Sequence, residues 1–355
     1  MKFIHCADIH LDSKIESNLP PQKSKQRKRE ILLSFLQMID YAKENGVTAV
    51  IIAGDLFDSD CVLPTTREIV ISKIRDCPDT DFLYLSGNHD GAFSLSDVPL
   101  PENLKMFSDK WTSYSYGDVT VTGVELTQEN CRHIYGSLVL DHGSFNIVIM
   151  HGGLSSSSGE QLVNKTELAG RGIDYLALGH YHSFDSGVLD SRGIWCYSGC
   201  LEGRGFDEAG EKGFVLLDIN EGRLDRKFIK CSQREIVVKE CDITGLTSTS
   251  QITDCVLQSV SDIPDSACVK VILTGDTPED AVKDTVFIAE TINSKFYFSK
   301  LVDKTHIKID LNKYIGDVSL RGEFIRQAMA LDNKEQAERI IEYGLAALSG
   351  RELPW

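Results

Sequence analysis

Five short apolar runs within the first 182 residues each stop at residues that bind metals or move protons, and this pattern constrains the chain more than any other feature. KFIHCADIH reaches Asp8 and His10, VTAVIIAGDLFD reaches Asp55 and Asp58, and DFLYLSGNHD reaches Asn88, His89 and Asp90. FNIVIMHGG reaches His151, and DYLALGHYH reaches His180 and His182. Short runs rich in Val, Ile, Leu, Phe and Tyr predict buried strands. Helical stretches are expected around 27–44 and 65–76, between the first three runs, and strands alternating with helices argue an α/β sheet. Ligands in open α/β sheets gather at the carboxyl ends of strands, and all five polar clusters lie at that end.

The rest of the chain changes rhythm. Residues 112–124 and 184–219 read as short strands joined by Gly, Asp and Ser turns, which predicts antiparallel pairs in a second sheet packed on the first. From about 230 a small α/β module is expected. Strands are predicted at REIVVKECDI, VKVILTGD and KFYFSKLVD, with helices over 249–260 and EDAVKDTVFIAETI. The last residues read as two helices. Asp332 with Glu335 fits a capping box for the second, and Ile340, Ile341, Leu345 and Leu348 give it one apolar face. The expected division is 1–228, 229–315 and 316–355.

Composition excludes several classes. With 42% hydrophobic residues the chain can bury a core, and no apolar run approaches the roughly 18–20 residues of a membrane helix. MKFIHCADIH meets a His and an Asp too early for a secretory leader. The ten cysteines are scattered without a C-x-x-C pair. Reduced thiols and a cytoplasmic location are therefore expected. The net charge of −16 rules out a grip on nucleic acid by bulk field alone. Either the chain does not bind nucleic acid, or local groups and bound metal supply the grip.

Asp8, His10, Asp55, Asn88, His89, His151, His180 and His182 form a set of carboxylate, amide and imidazole groups without thiolate. That chemistry favours Mn²⁺, Fe or Zn²⁺ over a Cys-rich structural site. So many ligands are too many for one ion and suit two. Two ions about 3.5–4 Å apart need a bridging anion, hold a shared hydroxide and clamp a phosphate for in-line attack.

D-x-H, GD-x-x-D, GNHD, H-G and GH-x-H, in this order over residues 8–182, resemble the motif series of the calcineurin-like metallophosphoesterases. YSGCLEGRGFDEAGEKGFVLLDI at 197–219 and the opening FIHCADIHLDS are similar to the SbcD-type DNA-repair exonucleases, with the YhaO-like branch the nearest look. Cys200 stands where that family commonly carries Ser. The resemblance implies a four-layer α/β/β/α sandwich with a small α/β capping domain and a helical tail. It implies that Asp8, His10, Asp55 and His182 hold one metal and that Asp55, Asn88, His151 and His180 hold the other, with Asp55 bridging. The expected cofactors are two divalent ions, Mn²⁺ first among Mn²⁺, Mg²⁺, Fe²⁺ and Zn²⁺. His89 would stabilise developing charge or protonate the leaving oxygen, and Asp90 would orient its ring.

The implied activity is DNA phosphodiester hydrolysis in double-strand break repair, by an exonuclease working with an SbcC-type coiled-coil ATPase and forming a homodimer. Lys23, Lys25, Arg27, Lys28 and Arg29 read either as phosphate contacts or as a solvated helix start, and Arg204 as a further nucleic-acid contact. Tyr181 reads equally as packing or substrate contact, and Asp58 as metal support or a turn residue. Two rivals fit the same motifs: a phosphodiesterase or phosphatase for nucleotides and other small phosphoesters, and a non-catalytic subunit of an ATPase complex.

Overall fold

The structure is a computed structural model that describes all residues except 16–18, 59–61, 91–98, 309–310, 315 and 349–355, and the backbone alone at 311–312, 335, 338, 342, 346 and 348. It contains two compact units, Met1–Val237 and Val238–Trp355.

The first unit runs β1 (Lys2–Cys6), α1 (Pro21–Glu44), β2 (Ala49–Ala53), α2 (Pro64–Arg75), β3 (Asp81–Leu85), β4 (Leu104–Met106), β5 (Thr112–Tyr116) and β6 (Val119–Gly123). It continues with β7 (Phe145–His151), β8 (Gly153–Ser155), β9 (Leu162–Asn164), α3 (Lys165–Leu168), β10 (Tyr175–Gly179), β11 (Asp185–Val188), β12 (Ile194–Tyr197), β13 (Gly213–Asn220) and β14 (Arg223–Lys230).

Helix α1 begins with Pro21, whose fixed φ suits a first helical turn, and buries Ile31, Phe35, Met38, Ile39 and Ala42 along one stripe. It ends at Asn45, followed by Gly46 with φ of +62°. Both expected helices lie between the first three strands, α1 starting at Pro21, six residues before the expected 27.

Two six-stranded sheets form the centre of the unit, in the orders β14-β13-β1-β2-β3-β4 and β11-β12-β10-β7-β6-β5. In the first, β1, β2, β3 and β4 are parallel, and β13 lies antiparallel to β1 with Leu217 opposite Phe3. In the second, β6, β7, β10 and β12 are parallel and the edges β5 and β11 antiparallel. The antiparallel second sheet expected from 112–124 and 184–219 is therefore mixed. Its centre comes from the FNIVIMH and YLALG runs, and the 213–220 strand joins the first sheet instead. Local alternation reports a hairpin but not the sheet that receives it.

Phe3, Ile51, Leu83, Val121, Ile147, Ile149, Tyr175 and Ala177 fill the space between the sheets. Ile4, Ile52, Phe82 and Leu56 face α1 and α2. Strand β2 is buried at all five positions, which is why its sequence is continuously apolar rather than alternating. The opposite face of the second sheet is covered by a thinner layer: the 3₁₀ turn Ile134–Ser137, Val163 and Leu168 of α3. Each fully buried Ile, Leu or Phe is worth about 1.5–3 kcal/mol.

The second unit is a mixed α/β element followed by helices. It takes up all but the first two residues of β15 (Ile236–Asp242), then α4 (Thr249–Ser259), β16 (Cys268–Thr274), β17 (Asp276–Pro278), α5 (Thr285–Lys295), β18 (Phe298–Asp303) and β19 (His306–Lys308), then α6 (Leu320–Met329) and α7 (Lys334–Leu348). A capping box of Ser248 and Gln251 starts α4. The helix expected from Glu279 begins only at Thr285, where Asp284 caps it.

Helix α7 is capped by Asn333, which accepts from Gln336 N at 3.2 Å, one residue beyond the expected Asp332. The Glu335 side chain lies outside the described residues. Ile340, Ile341 and Leu345 of α7 pack with Phe324, Ile325 and Ala328 of α6. The described part of that apolar face packs on α6, and the Leu348 side chain lies outside the described residues. No described helix is long and apolar enough to cross a membrane. The nine described cysteines are free thiols.

Candidate active site

The strand-end residues from both sheets meet at one place. The loops after β1 and β2 are zipped together by Asp8 N to Gly54 O at 3.1 Å, His10 N to Asp55 O at 2.9 Å and Leu11 N to Leu56 O at 3.0 Å. The Asp55 carboxylate accepts His89 N at 2.8 Å, which draws in the loop after β3. From the second sheet, His180 N donates to the Asp8 carboxylate at 2.9 Å. The His151 ring lies with Nδ1 2.9 Å from Ala53 O.

Backbone strain marks the same residues. Among the described residues, Asp8, His10, Asp12, Asp55, His180 and Glu221 are the non-glycine residues with positive φ, and four of these six are sequence-predicted metal donors. Such conformations cost of order 1–3 kcal/mol each and persist where the surroundings enforce them. Gly54, at φ +94°, leaves the room this requires: a Cβ there would stand 2.1 Å from His151 Nδ1. A Cβ on Gly87 would stand 2.2 Å from Asp55 Oδ1.

Three sets of donor atoms each gather within 4.8 Å: Asp8, His10 and His182; Asp8, Asp55 and His151; and His10, Asp58 and His89. The His10 and His182 Nε2 atoms face each other at 3.3 Å. His151 Nε2 lies 3.3 Å from Asp55 Oδ2 and 3.0 Å from Asn88 Oδ1. His10 Nε2 is 3.7 Å from Asp55 Oδ2. His180 stands outside the three sets, its ring 5.5 Å from that of His151. Asp8, His10 and Asp55 are buried, whereas Asn88 and His89 are exposed. The His89 ring packs edge-on to His10 at 4.9 Å.

The imidazoles are oriented from behind. A carbonyl only accepts, so Ala53 O fixes the proton of His151 on Nδ1 and turns Nε2 toward Asp55 and Asn88. The Glu208 carboxylate is 2.6 Å from His182 Nδ1 and does the same for that ring. Glu208 is held in turn by Arg204, through Nη2 at 2.7 Å and the backbone N at 2.7 Å. Lys212 Nζ donates to His182 O at 2.6 Å. Glu208 and Lys212 were not singled out in the sequence. Both lie in the 197–219 segment, whose resemblance was the one signal available.

The electrostatics favour a cation. Burial raises Asp8 to about 6. For Asp55 burial opposes the charge, yet His151 and His10 outweigh it and hold the carboxyl below the usual range. Burial disfavours a charged His151, but its hydrogen bond to Asp55 and the charges of Asp8 and Asp55 raise it to about 9. Burial lowers His10 to about 3, helped by Arg204, so it offers a neutral imidazole. Two buried carboxylates that pull a proton onto a buried imidazole form a pocket for positive charge, and their donor set suits divalent cations of borderline hardness.

Two expectations need correction. Asp90 does not brace the His89 ring: its carboxylate accepts Phe57 N at 2.7 Å, Gly87 N at 3.0 Å and Leu56 N at 3.2 Å, tying together the loops after β2 and β3. Burial raises it to about 6. Arg27 cannot contact DNA, because it is 1% exposed and pairs with Glu202 at 2.7 Å and with Glu30. Helical position 27 falls on the buried stripe of α1, which a charge count does not reveal. Arg204 is half-buried, pairs with Glu208 and has Nη2 3.1 Å from His182 Nδ1. Of the other basic residues, Lys25 and Arg29 are exposed, Lys23 is half-buried, and Lys28 donates to Asp12 O at 3.2 Å.

The fold and this site define a hydrolase of phosphoester bonds. The profile of the calcineurin-like phosphoesterase family matches residues 1–184, and the chain belongs to that family. It is 25% identical over 300 residues to the metallophosphoesterase YhaO of Bacillus subtilis, covering 79% of this chain and 73% of that protein. It is 26% identical over 242 residues to the DNA double-strand break repair protein Mre11 of Sulfurisphaera tokodaii, covering 62% of this chain and 60% of that protein. Against the Mre11 of Halobacterium salinarum the identity is 25% over 288 residues, with 78% and 71% covered.

Proposed function

We propose that the protein is a divalent-metal-dependent nuclease that hydrolyses phosphodiester bonds in DNA. The observation that carries this reading is the extent of its likeness to the two repair proteins. The alignments cover 242 and 288 residues, well beyond the 184 matched by the phosphoesterase profile. The alignment with the Halobacterium salinarum protein covers 78% of this chain, more than the Met1–Val237 unit that carries the site.

In this reading Asp8, His10, Asp55 and His182 hold one ion, and Asp55, Asn88, His151 and His180 hold the other, with Asp55 shared. Divalent ions bound there supply Lewis acidity and bring the pKa of bound water toward neutrality. The chain's own residues do the rest. Ala53 O and Glu208 keep His151 and His182 in the tautomers that present Nε2. Asp90 fixes the loops carrying Asp55 and Asn88. His89, exposed at the rim, is placed to stabilise developing charge or pass a proton to the leaving oxygen. Mn²⁺ is the favoured ion, and an SbcC-type ATPase and a second copy of the chain are the partners this reading brings.

The test is hydrolysis of end-labelled single- and double-stranded DNA with Mn²⁺ or Mg²⁺, alongside bis-p-nitrophenyl phosphate and cyclic nucleotides. Preferential, Mn²⁺-supported degradation of DNA is the expected result. Turnover of the small esters with DNA left intact would contradict it.

A further inference from the structure

Between the two histidines of GH-x-H the chain exposes an aromatic ring. Tyr181 keeps 51% of its surface accessible although His182 beside it is half-buried and β10 before it is fully buried. The ring is not loose. It packs against Tyr197 at a centroid distance of 4.8 Å and an angle of 60°, and against His180 at 5.5 Å. A Cβ on Gly153 would come within 3.0 Å of the Tyr181 hydroxyl. Tyr197 is a rigid support: it is 2% exposed, donates to Gly152 O at 2.9 Å and accepts Leu154 N at 2.7 Å. Three residues on, Phe184 is 42% exposed with its ring against Phe228 at 4.9 Å.

A protein of net charge −16 has little field with which to hold a polyanion. Arg27 and Arg204, two of its candidate contacts, are committed to Glu202, Glu30 and Glu208. Stacking on an aromatic face is a grip on a single strand that needs no positive charge. It is independent of sequence because every base has a π-face. A ring already fixed by its neighbours loses little freedom on binding.

We propose that Tyr181 is a substrate-binding residue whose exposed face stacks on a nucleobase flanking the scissile phosphate. The inference rests on the nuclease reading and specifies its substrate as a strand with an unpaired, accessible base. The test compares single-stranded oligonucleotides in which one nucleotide at a time is replaced by an abasic analogue. Wild type is expected to lose at least about fivefold in kcat/KM when one particular base is removed, the scale of one base–aromatic stack. Tyr181→Phe should keep that preference. Tyr181→Ala and Tyr181→Leu should cut intact and abasic strands at nearly equal rates, with metal content and thermal midpoint checked for each. An unchanged preference in the Ala and Leu variants, or no preference at any position in wild type, would overturn the assignment. Hydrolysis of bis-p-nitrophenyl phosphate with no cleavage of any oligonucleotide would instead overturn the nuclease reading and this inference with it.

Discussion

Glu208 lies 2.6 Å from His182 Nδ1, and the same carboxylate is gripped by Arg204. Burial works against the charge on Glu208, but hydrogen bonds from His182 and Arg204 prevail and hold it below the usual carboxylate range. The anion is therefore available to fix the imidazole, and His182 presents Nε2 to the site because Glu208 occupies its other side.

Replacing Glu208 with Gln keeps the shape and removes the charge. Partners of this kind typically contribute about 10- to 100-fold in metal affinity or activity. Titration of Mn²⁺ into apo-protein should show a weakening of that order for Glu208→Gln, and the thermal midpoint of the apo form should fall as well because Arg204 loses its counterion. Equal affinity in the two proteins would remove Glu208 from the account.

His89 is exposed, and its backbone N, rather than its ring, is what Asp55 holds. His89→Asn should accordingly retain its metal and lose about 10²- to 10⁴-fold in kcat, the usual worth of a positioned proton donor. Elemental analysis and turnover on the same sample separate the two effects.

Gly54 carries a positive φ and faces the His151 ring across a gap with no space for a methyl group. Gly54→Ala should displace His151, lowering metal affinity as well as stability, since strain at such a position alone costs about 1–3 kcal/mol. Chemical denaturation together with metal titration checks both expectations.

Arg27 offers a contrast between two kinds of basic residue. Arg27→Met leaves Glu202, 2% exposed, without its buried counterion, and breaking such a pair typically destabilises by about 3–5 kcal/mol. The urea midpoint should fall, while the salt dependence of DNA binding by the folded protein should stay as in wild type. A reduced salt slope would show that Arg27 meets phosphate after all.

How much of this was legible beforehand differs by feature. The five polar strand ends and both helices of the first α/β segment follow from apolar periodicity, because they depend on residues close in sequence, whereas the four-layer architecture is implied only by the family resemblance. Which sheet receives β13, and the fact that β7 and β10 belong to a different sheet from β1, β2 and β3, depend on long-range pairing that alternation does not encode. Arg27 read as surface because its counterion Glu202 lies 175 positions away. Asp90 read as a partner of His89 because adjacency was the only cue, whereas its acceptors serve Leu56, Phe57 and Gly87. Glu208 escaped notice for the same reason: 26 positions separate it from His182.

The most direct test of the central idea is the ratio of divalent metal to protein, measured by elemental analysis after loading with Mn²⁺ and desalting, for wild type and Asp55→Asn. Two ions per wild-type chain, and substantial loss of both in the variant with the shared carboxylate removed, is the result expected. A wild-type protein that retains no divalent ion, or an Asp55→Asn variant that keeps two, would contradict it.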